Sequence, residues 1–313
     1  MTDSFQRNLA YKRNGEISDV SLFPEGMNRV ALGLEYNGSL FHGFQSQVSG
    51  IATVQQTLES ALTSICNEPI ALVCAGRTDT GVHATNQIVH FDTHARRPEK
   101  AWLRGANAKI DDGVSIRWAQ VVSPLFHSRF SARARTYRYI IYNTRTPSAL
   151  MKNLVTWDRR RFNLDDMIEG SRYLIGEHNF NAFRGADCQA KTSIRRMDAI
   201  TINKMGDFIV IEVKATAFLY HMVRNIVGVL ASVAAGDRPP SWVGSVLASE
   251  DRRCGGVTAP AAGLYLVKVE YDASFALPTC PEGPYIIAGL LNPQTAVASQ
   301  QPLKSQRPPQ TTD

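Results

Sequence analysis

Residues 74–84 read CAGRTDTGVHA and connect two segments with the composition of β-strands, Ile70–Cys74 and Gln87–Phe91. Because it lies between two strands, this segment predicts a loop at the end of a sheet. Asp79 lies in the loop, two residues after Arg77 and two residues before a glycine. These residues suit a plain turn in which Arg77 pairs with a neighbouring carboxylate. They equally suit catalysis, because a carboxylate on a glycine-containing loop, held ionised by an arginine, can approach a substrate as nucleophile or base.

Outward from this loop, strand patterns and amphipathic helices occur together in both halves of the chain. Runs of β-branched and aromatic residues predict strands at 29–36, 70–74, 87–91, 114–122, 136–142, 193–202, 208–213 and 264–271. Apolar residues at helical spacing predict helices at 54–65, 101–110, 164–175, 222–233 and 242–247. This order indicates the α+β class, with antiparallel sheets and flanking helices, rather than alternating βαβ units.

Length and composition indicate a folded protein of two mixed domains. Hydrophobic residues make up 44% of the 313 residues and charged residues 20%, which excludes collagen-like, disulfide-scaffold and wholly disordered chains. The predicted divisions are an N-terminal arm at 1–27, domains at 28–130 and 131–290, and a disordered, Pro- and Gln-rich tail at 291–313. Five widely spaced cysteines predict reduced thiols and a cytoplasmic protein, and no apolar stretch suggests a membrane span.

Positive charge is concentrated in one part of the chain. Residues 95–161 contain 15 Lys and Arg against 4 Asp and Glu, an excess of 11, whereas the whole chain carries +6. Inside this stretch, residues 126–142 read FHSRFSARARTYRYIIY, with arginines such as Arg133 and Arg135 close to Tyr137. Cations that bind phosphates and rings that stack on bases suit an RNA surface. The alternative is a half-buried strand whose arginines face water.

A third informative stretch, residues 218–229, reads FLYHMVRNIVGV. Arg224 interrupts its apolar pattern, which is costly unless a carboxylate meets the cation or the side chain reaches water. The residues by themselves leave open a structural ion pair or an arginine whose charged end reaches water. His221 alone favours a satisfied or exposed histidine over a ligand.

Other chemistries leave little trace in the sequence. No nucleotide-binding, zinc-binding or serine-nucleophile motif is present, so we expect neither a cofactor nor a metal. Asp79-Thr80-Gly81 spells the D-T-G of aspartic peptidases, but that chemistry needs two carboxylates and the chain has no second D-[ST]-G. An aspartic peptidase therefore stays a minor alternative.

Together these segments resemble the tRNA pseudouridine synthase A family. The shared motifs are A-G-R-T-D-x-G-V-H-A, F-x-x-R-F-S-A-x-A-R-x-Y-R-Y-I-I-Y-N, F-x-x-H-M-V-R-N-I-V-G and G-L-Y-L, preceded by ALGLEYNGSLFHGFQSQ, and the likeness runs from about Asn28 to about Leu290. By this resemblance, Asp79 is the catalytic aspartate and Arg77 helps to displace the target base. Arg224 pairs with the carboxylate, so we expect it to contact Asp79, to keep it ionised and to lower its pKa. Tyr137 packs on the target uracil, and Leu264 lines the uracil pocket.

The resemblance also implies a fold, a reaction and partners. The implied fold is the pseudouridine synthase fold, two α+β domains with a cleft between them, in a homodimer. The implied reaction converts uridine to pseudouridine at positions 38, 39 and 40 in the anticodon stem-loop of tRNA, without a cofactor because no atom is gained or lost. Arg133 and Arg135 would contact phosphates. The alternatives are a synthase for other RNA uridines and a non-catalytic RNA-binding protein.

Overall fold

The computed structural model of the protein describes residues 23–47, 50–110 and 112–287. Most of the predicted arm at 1–27 and all of the predicted tail at 291–313 lie outside these ranges. Within them, no helix combines the length and the apolar character that a membrane span requires.

A single mixed sheet forms the centre of the described structure. Its strands are β1 (Asn28–Tyr36), β2 (Val73–Cys74), β3 (His83–Thr93), β4 (Val114–Val122), β5 (Ala134–Tyr142), β6 (Thr156–Trp157), β7 (Gly176–Asn179), β8 (Ile194–Met205), β9 (Phe208–Ala215) and β10 (Leu264–Glu270). The main order is β4-β1-β3-β10-β5-β9-β8-β7, with β2 on β3 and β6 on β5. Only the β10–β3 and β5–β6 pairs are parallel among the described strands. The predicted α+β class is confirmed.

The late strand β10 joins the two halves of the sheet. It runs parallel to β3, with Tyr265 opposite His83, and antiparallel to β5, with Leu266 opposite Tyr137. This pairing brings the loop before β3 beside the Tyr- and Arg-rich strand. The predicted domain boundary at 130/131 falls in the connection between β4 and β5, and it stays a prediction.

Four α-helices accompany the sheet among the residues that the structure describes: α1 (Val54–Cys66), α2 (Leu164–Ser171), α3 (Met222–Ala234) and α4 (Trp242–Ser249). The α1 helix begins where the Thr53 side chain accepts a hydrogen bond from the Gln56 amide, and it ends at Asn67 in the left-handed conformation. Ten of the thirteen α3 residues are buried, so α3 is a core helix rather than a surface one.

Two predicted elements are shorter than expected. The strand predicted at 70–74 is reduced to β2, because the α1 side chains Thr63 and Glu59 accept hydrogen bonds from the backbone amides of Ile70 and Leu72. Those amides are therefore not available to a strand ladder. The helix predicted at 101–110 has regular π-helical structure only at Ala101–Gly105.

Both faces of β5 are buried, so the alternative of arginines on a wet strand face is wrong. Tyr137, Tyr139 and Ile141 belong to the main core, and Ile140 packs in a smaller cluster on the other face. Arg138 is only 8% exposed, because residues 281–287 lie across this second face. Its guanidinium forms ion pairs with carboxylates on β9 and in the covering segment, Glu212 at 2.6 Å and Glu282 at 3.0 Å.

Candidate active site

The loop that carries Asp79 is held at several points by the first half of the sheet. The Thr78 carbonyl accepts a hydrogen bond from the Phe44 amide at 3.0 Å. The Thr78 side-chain hydroxyl lies 2.8 Å from the hydroxyl of Tyr36. The buried Gln87 side chain donates to the Gly76 carbonyl at 2.6 Å and to the Tyr36 hydroxyl at 3.3 Å. These bonds fix the backbone on both sides of Arg77 and leave little freedom to the residue that follows Thr78.

Asp79 meets two side chains from the start of α3. Its Oδ2 lies 3.5 Å from Nη1 of Arg224 and 3.4 Å from Nε2 of His221. The predicted contact between Asp79 and Arg224 is therefore confirmed. Arg224 is itself positioned by a 2.8 Å hydrogen bond from its Nε to the Ala259 carbonyl. The three side chains retain 16–25% exposure, so the cluster is largely buried but reachable from solvent.

The charge state of this cluster differs from the prediction. Burial raises the pKa of Asp79 above its ordinary value, and this effect outweighs the lowering by His221 and Arg224. The predicted lowering of the Asp79 pKa is therefore wrong. The free-energy cost of removing the carboxylate from water exceeds the stabilisation of its charge by the two nearby side chains. Burial also lowers the pKa of His221, although the charge of Asp79 opposes that shift. Both changes favour uncharged side chains and bring the two groups closer in proton affinity.

Tyr137 stands on β5 with its ring in the core, 8% exposed. The ring of Phe218 meets it edge to face, with centroids 5.0 Å apart and an interplanar angle of 83°. Burial raises the pKa of Tyr137, and the negative charge of Asp79 adds to that rise. The hydroxyl is therefore protonated at neutral pH. The effect of Asp79 also shows that the two side chains are close enough to interact electrostatically.

Leu264 is buried on β10, the strand that pairs with the Tyr137 strand β5. It pairs with Tyr139, whereas Leu266 pairs with Tyr137. Both leucines belong to the same core cluster as the two tyrosines. Leu266 was not among the predicted site residues, although the two-residue period of a strand places it on the same face as Leu264.

The predicted RNA-contacting arginines occupy different environments. Arg77 is exposed and forms no ion pair with a residue that the structure describes. Arg133 is also exposed, 68% at its side chain, and it pairs with Asp272.

Arg135 corrects the sequence-based expectation. Only 9% of it is exposed, and its guanidinium donates hydrogen bonds to four backbone carbonyls, those of Ala75, Arg129, Ala132 and Thr216. Each Nη group of this guanidinium donates two of these bonds, so the buried side chain joins the loops around β5 and is not available to a phosphate. Arg135 supports the loop that carries Asp79 through Ala75 instead.

His221 is a site residue that the sequence analysis did not select. It precedes α3 with φ 60° and ψ 2°, a left-handed conformation that is uncommon for a residue with a side chain. A sequence signal for it existed, since it stands three residues before Arg224 in a stretch that is otherwise apolar. Within the described ranges, no group of three or more His, Cys, Asp or Glu side chains is arranged to hold a metal ion.

Comparison with known proteins identifies the family. The family described as tRNA pseudouridine synthase matches residues 34–131 and 171–272, more than half of the chain. The tRNA pseudouridine synthase A of Alcanivorax borkumensis is 50% identical over 258 residues, 82% of this chain and 97% of the relative. The enzymes of that name from Pseudomonas aeruginosa and Coxiella burnetii are 47% and 48% identical over 265 and 261 residues, 85% and 83% of this chain and 93% and 100% of the relatives. The chain therefore belongs to the tRNA pseudouridine synthase A family of isomerases, which convert uridine to pseudouridine in tRNA.

Proposed function

We propose that this enzyme isomerises uridine at positions 38, 39 and 40 in the anticodon stem-loop of tRNA, with Asp79 as the catalytic carboxylate. The observation that carries the role of Asp79 is its position between Arg224 and His221, on a loop fixed by Thr78 and Gly76. The choice of uridines rests on the resemblance of the sequence motifs to the family.

The reaction suits a site of this kind. The N1–C1′ bond of the uridine breaks, the uracil turns, and C5 bonds to C1′, while a proton leaves C5 and one is gained at N1. Atoms balance without an added group, so no cofactor is proposed. Asp79 acts on the target nucleotide as the charged group, and its raised proton affinity suits a carboxylate that exchanges a proton or bonds to carbon.

Binding requires that the target base leave its stack, at a cost of a few kcal/mol. We propose that the ring of Tyr137 packs on the flipped uracil, with Leu264 and Leu266 at the apolar side of the pocket. Arg77, exposed two residues before Asp79, is suited to occupy the space that the base leaves. Arg133 remains a candidate phosphate contact because its guanidinium is exposed.

The surrounding architecture is proposed on the same resemblance. Asp79 comes from the proposed domain at 28–130, whereas Tyr137 and Arg224 come from the one at 131–290, as expected for a site in a cleft between them. We also propose a homodimer that acts on tRNA in the cytoplasm. Sedimentation of the full chain at micromolar concentration tests the dimer.

One experiment tests the central proposal. The purified protein, without added cofactor, is incubated with tRNA that lacks the modification, and pseudouridines are mapped. We expect product at positions 38 to 40, and product only at other uridines would favour the alternative specificity. Asp79→Asn should abolish product while tRNA binding is kept, whereas the matched surface variant Asp198→Asn, which loses its pairing with Arg196, should remain active. Turnover by Asp79→Asn close to the wild-type rate would refute the assignment.

A further inference from the structure

His221 stands out because its side chain reaches the proposed catalytic carboxylate from an unusual backbone conformation. Its Nε2 and Nη1 of Arg224 both approach Oδ2 of Asp79, at 3.4 and 3.5 Å. Two nitrogens therefore face the same oxygen of the carboxylate, each at ion-pair distance. His221 is the first residue before α3, so its left-handed φ of 60° sets the direction in which the imidazole leaves the backbone.

Neighbouring residues hold His221 in this conformation. Its carbonyl accepts the hydrogen bond of the Asn225 amide at 2.9 Å, which begins the helix. Its ring stacks on that of Tyr220, with centroids 3.9 Å apart and planes 22° apart. The Tyr220 carbonyl in turn accepts a hydrogen bond from the Gly185 amide at 2.8 Å. A residue with a left-handed φ that is held from several sides near a reaction centre is a common sign of a functional constraint.

Gly185 makes this packing possible. A Cβ atom at this position would lie 2.6 Å from Cδ1 of Tyr220 and 3.3 Å from the Cβ of His221. The backbone at Gly185 therefore packs directly against the stacked rings of Tyr220 and His221. Any side chain there would displace the rings and, with them, the nitrogen that faces Asp79.

Charged groups of both signs surround His221. Two cations, Arg224 and Arg252, act against protonation of the imidazole, and two anions, Asp79 and Asp187, favour it. Burial has the largest effect: it lowers the pKa of His221 and so favours the neutral ring. A neutral imidazole with its proton on Nε2 donates one hydrogen bond to a carboxylate without supplying a full charge.

We propose that His221 is a positioning residue for the isomerisation: as a neutral donor from Nε2, it shares Oδ2 of Asp79 with Arg224 and thereby aims the other carboxylate oxygen at the target nucleotide. The inference rests on the proposed catalytic role of Asp79. Its distinctive consequence is pH dependence. Protonation of His221 turns the donor into a cation that holds the carboxylate in a tight ion pair, so acid inactivation involves the coupled pair rather than Asp79 alone.

Two substitutions at His221 separate its features. His221→Phe keeps a ring to stack on Tyr220 and removes the donor, whereas His221→Gln places an amide nitrogen near the position of Nε2 and cannot become a cation. We expect kcat of His221→Phe to fall roughly a hundredfold, the size expected of a misplaced catalytic group, with tRNA affinity nearly unchanged. His221→Gln should recover much of this loss, and its kcat should persist to lower pH than that of the wild type.

The controls keep the inference separate from the proposed function. Gly185→Ala displaces the stacked rings without removing any titratable group, so it should lower kcat and keep tRNA affinity even if His221→Phe folds poorly. If Asp79→Asn is inactive while His221→Phe and Gly185→Ala have wild-type kcat, the proposed function stands and this inference is wrong. An acid limb of His221→Gln that coincides with that of the wild type would overturn it equally. If Asp79→Asn is active, the proposed function itself fails.

Discussion

Replacing Arg224 by Met tests the electrostatics of the site. Methionine retains much of the alkyl volume but removes the guanidinium, whose Nη1 lies 3.5 Å from Oδ2 of Asp79. Opposite unit charges about 4 Å apart attract by about 4 kcal/mol at an effective dielectric constant near 20. The two side chains are 16% and 19% exposed, so water screens part of this attraction. We therefore expect the ionised form of Asp79 to lose about 2 kcal/mol of stabilisation.

The sign of the effect follows from the role of the cation. Arg224 favours the ionised carboxylate, so its removal raises the pKa of Asp79 further above the ordinary value. The variant should then lose activity on the acid side at a higher pH than the wild type. At about 1.4 kcal/mol per factor of ten, kcat/KM on the acid limb of the profile should fall roughly tenfold to thirtyfold, and the loss should shrink as the pH rises.

The assay is single-turnover pseudouridine formation on unmodified tRNA between about pH 5.5 and about pH 8.5. Arg253→Met is the matched control, because it also removes an arginine from the second half of the chain. Arg253 is 90% exposed and pairs only with Asp251 among the described side chains. Its pH profile should coincide with that of the wild type. If the profile of Arg224→Met also coincided with it, Arg224 would not govern the charge of Asp79, and the electrostatic reasoning would be wrong.

Four further predictions concern the aromatic contact, two arginines and the buried histidines. Tyr137→Phe keeps the ring and removes the hydroxyl, so tRNA affinity should be kept while kcat falls roughly tenfold or more, and an unchanged kcat would show that the hydroxyl takes no part in proton transfer. Arg133→Ala should flatten the salt dependence of tRNA binding by about one unit of slope. Arg135→Ala should instead lower the free energy of unfolding by about 2 kcal/mol or more, because four carbonyls lose their donor, and urea denaturation measures this loss. Burial lowers the pKa of His127 to about 3 and that of His90 well below its ordinary value, so the unfolded chain binds more protons than the folded one at acid pH. Stability should therefore fall as the pH drops below about 6.5, by up to about 1.4 kcal/mol per pH unit for each histidine, and thermal melts should show a weaker dependence for His127→Asn.

Local patterns in the sequence were sufficient for most elements and for the loop of the site. The strand predicted at 114–122 matches β4, and the helix predicted at 222–233 differs from α3 by one residue. The reason is that side-chain periodicity and turn residues act within a few neighbouring positions. The same local information placed Asp79 in a loop between two strands, but it overestimated the strand at 70–74, where side chains from α1 take the backbone amides.

What the sequence determined by itself was therefore the α+β class, most of the strands and helices, the loop of Asp79 and, through its motifs, the family. The contact between Asp79 and Arg224 was expected from the family motifs, but only the tertiary structure decided that His221 also meets Asp79, because no local pattern encodes a contact across this chain separation. It also decided the charge states. The pKa of Asp79 rises, and Arg135 is withdrawn from solvent, because burial depends on what covers a residue from every side. The desolvation of a side chain depends on the assembled fold, whereas the spacing of apolar residues can be read from the chain alone.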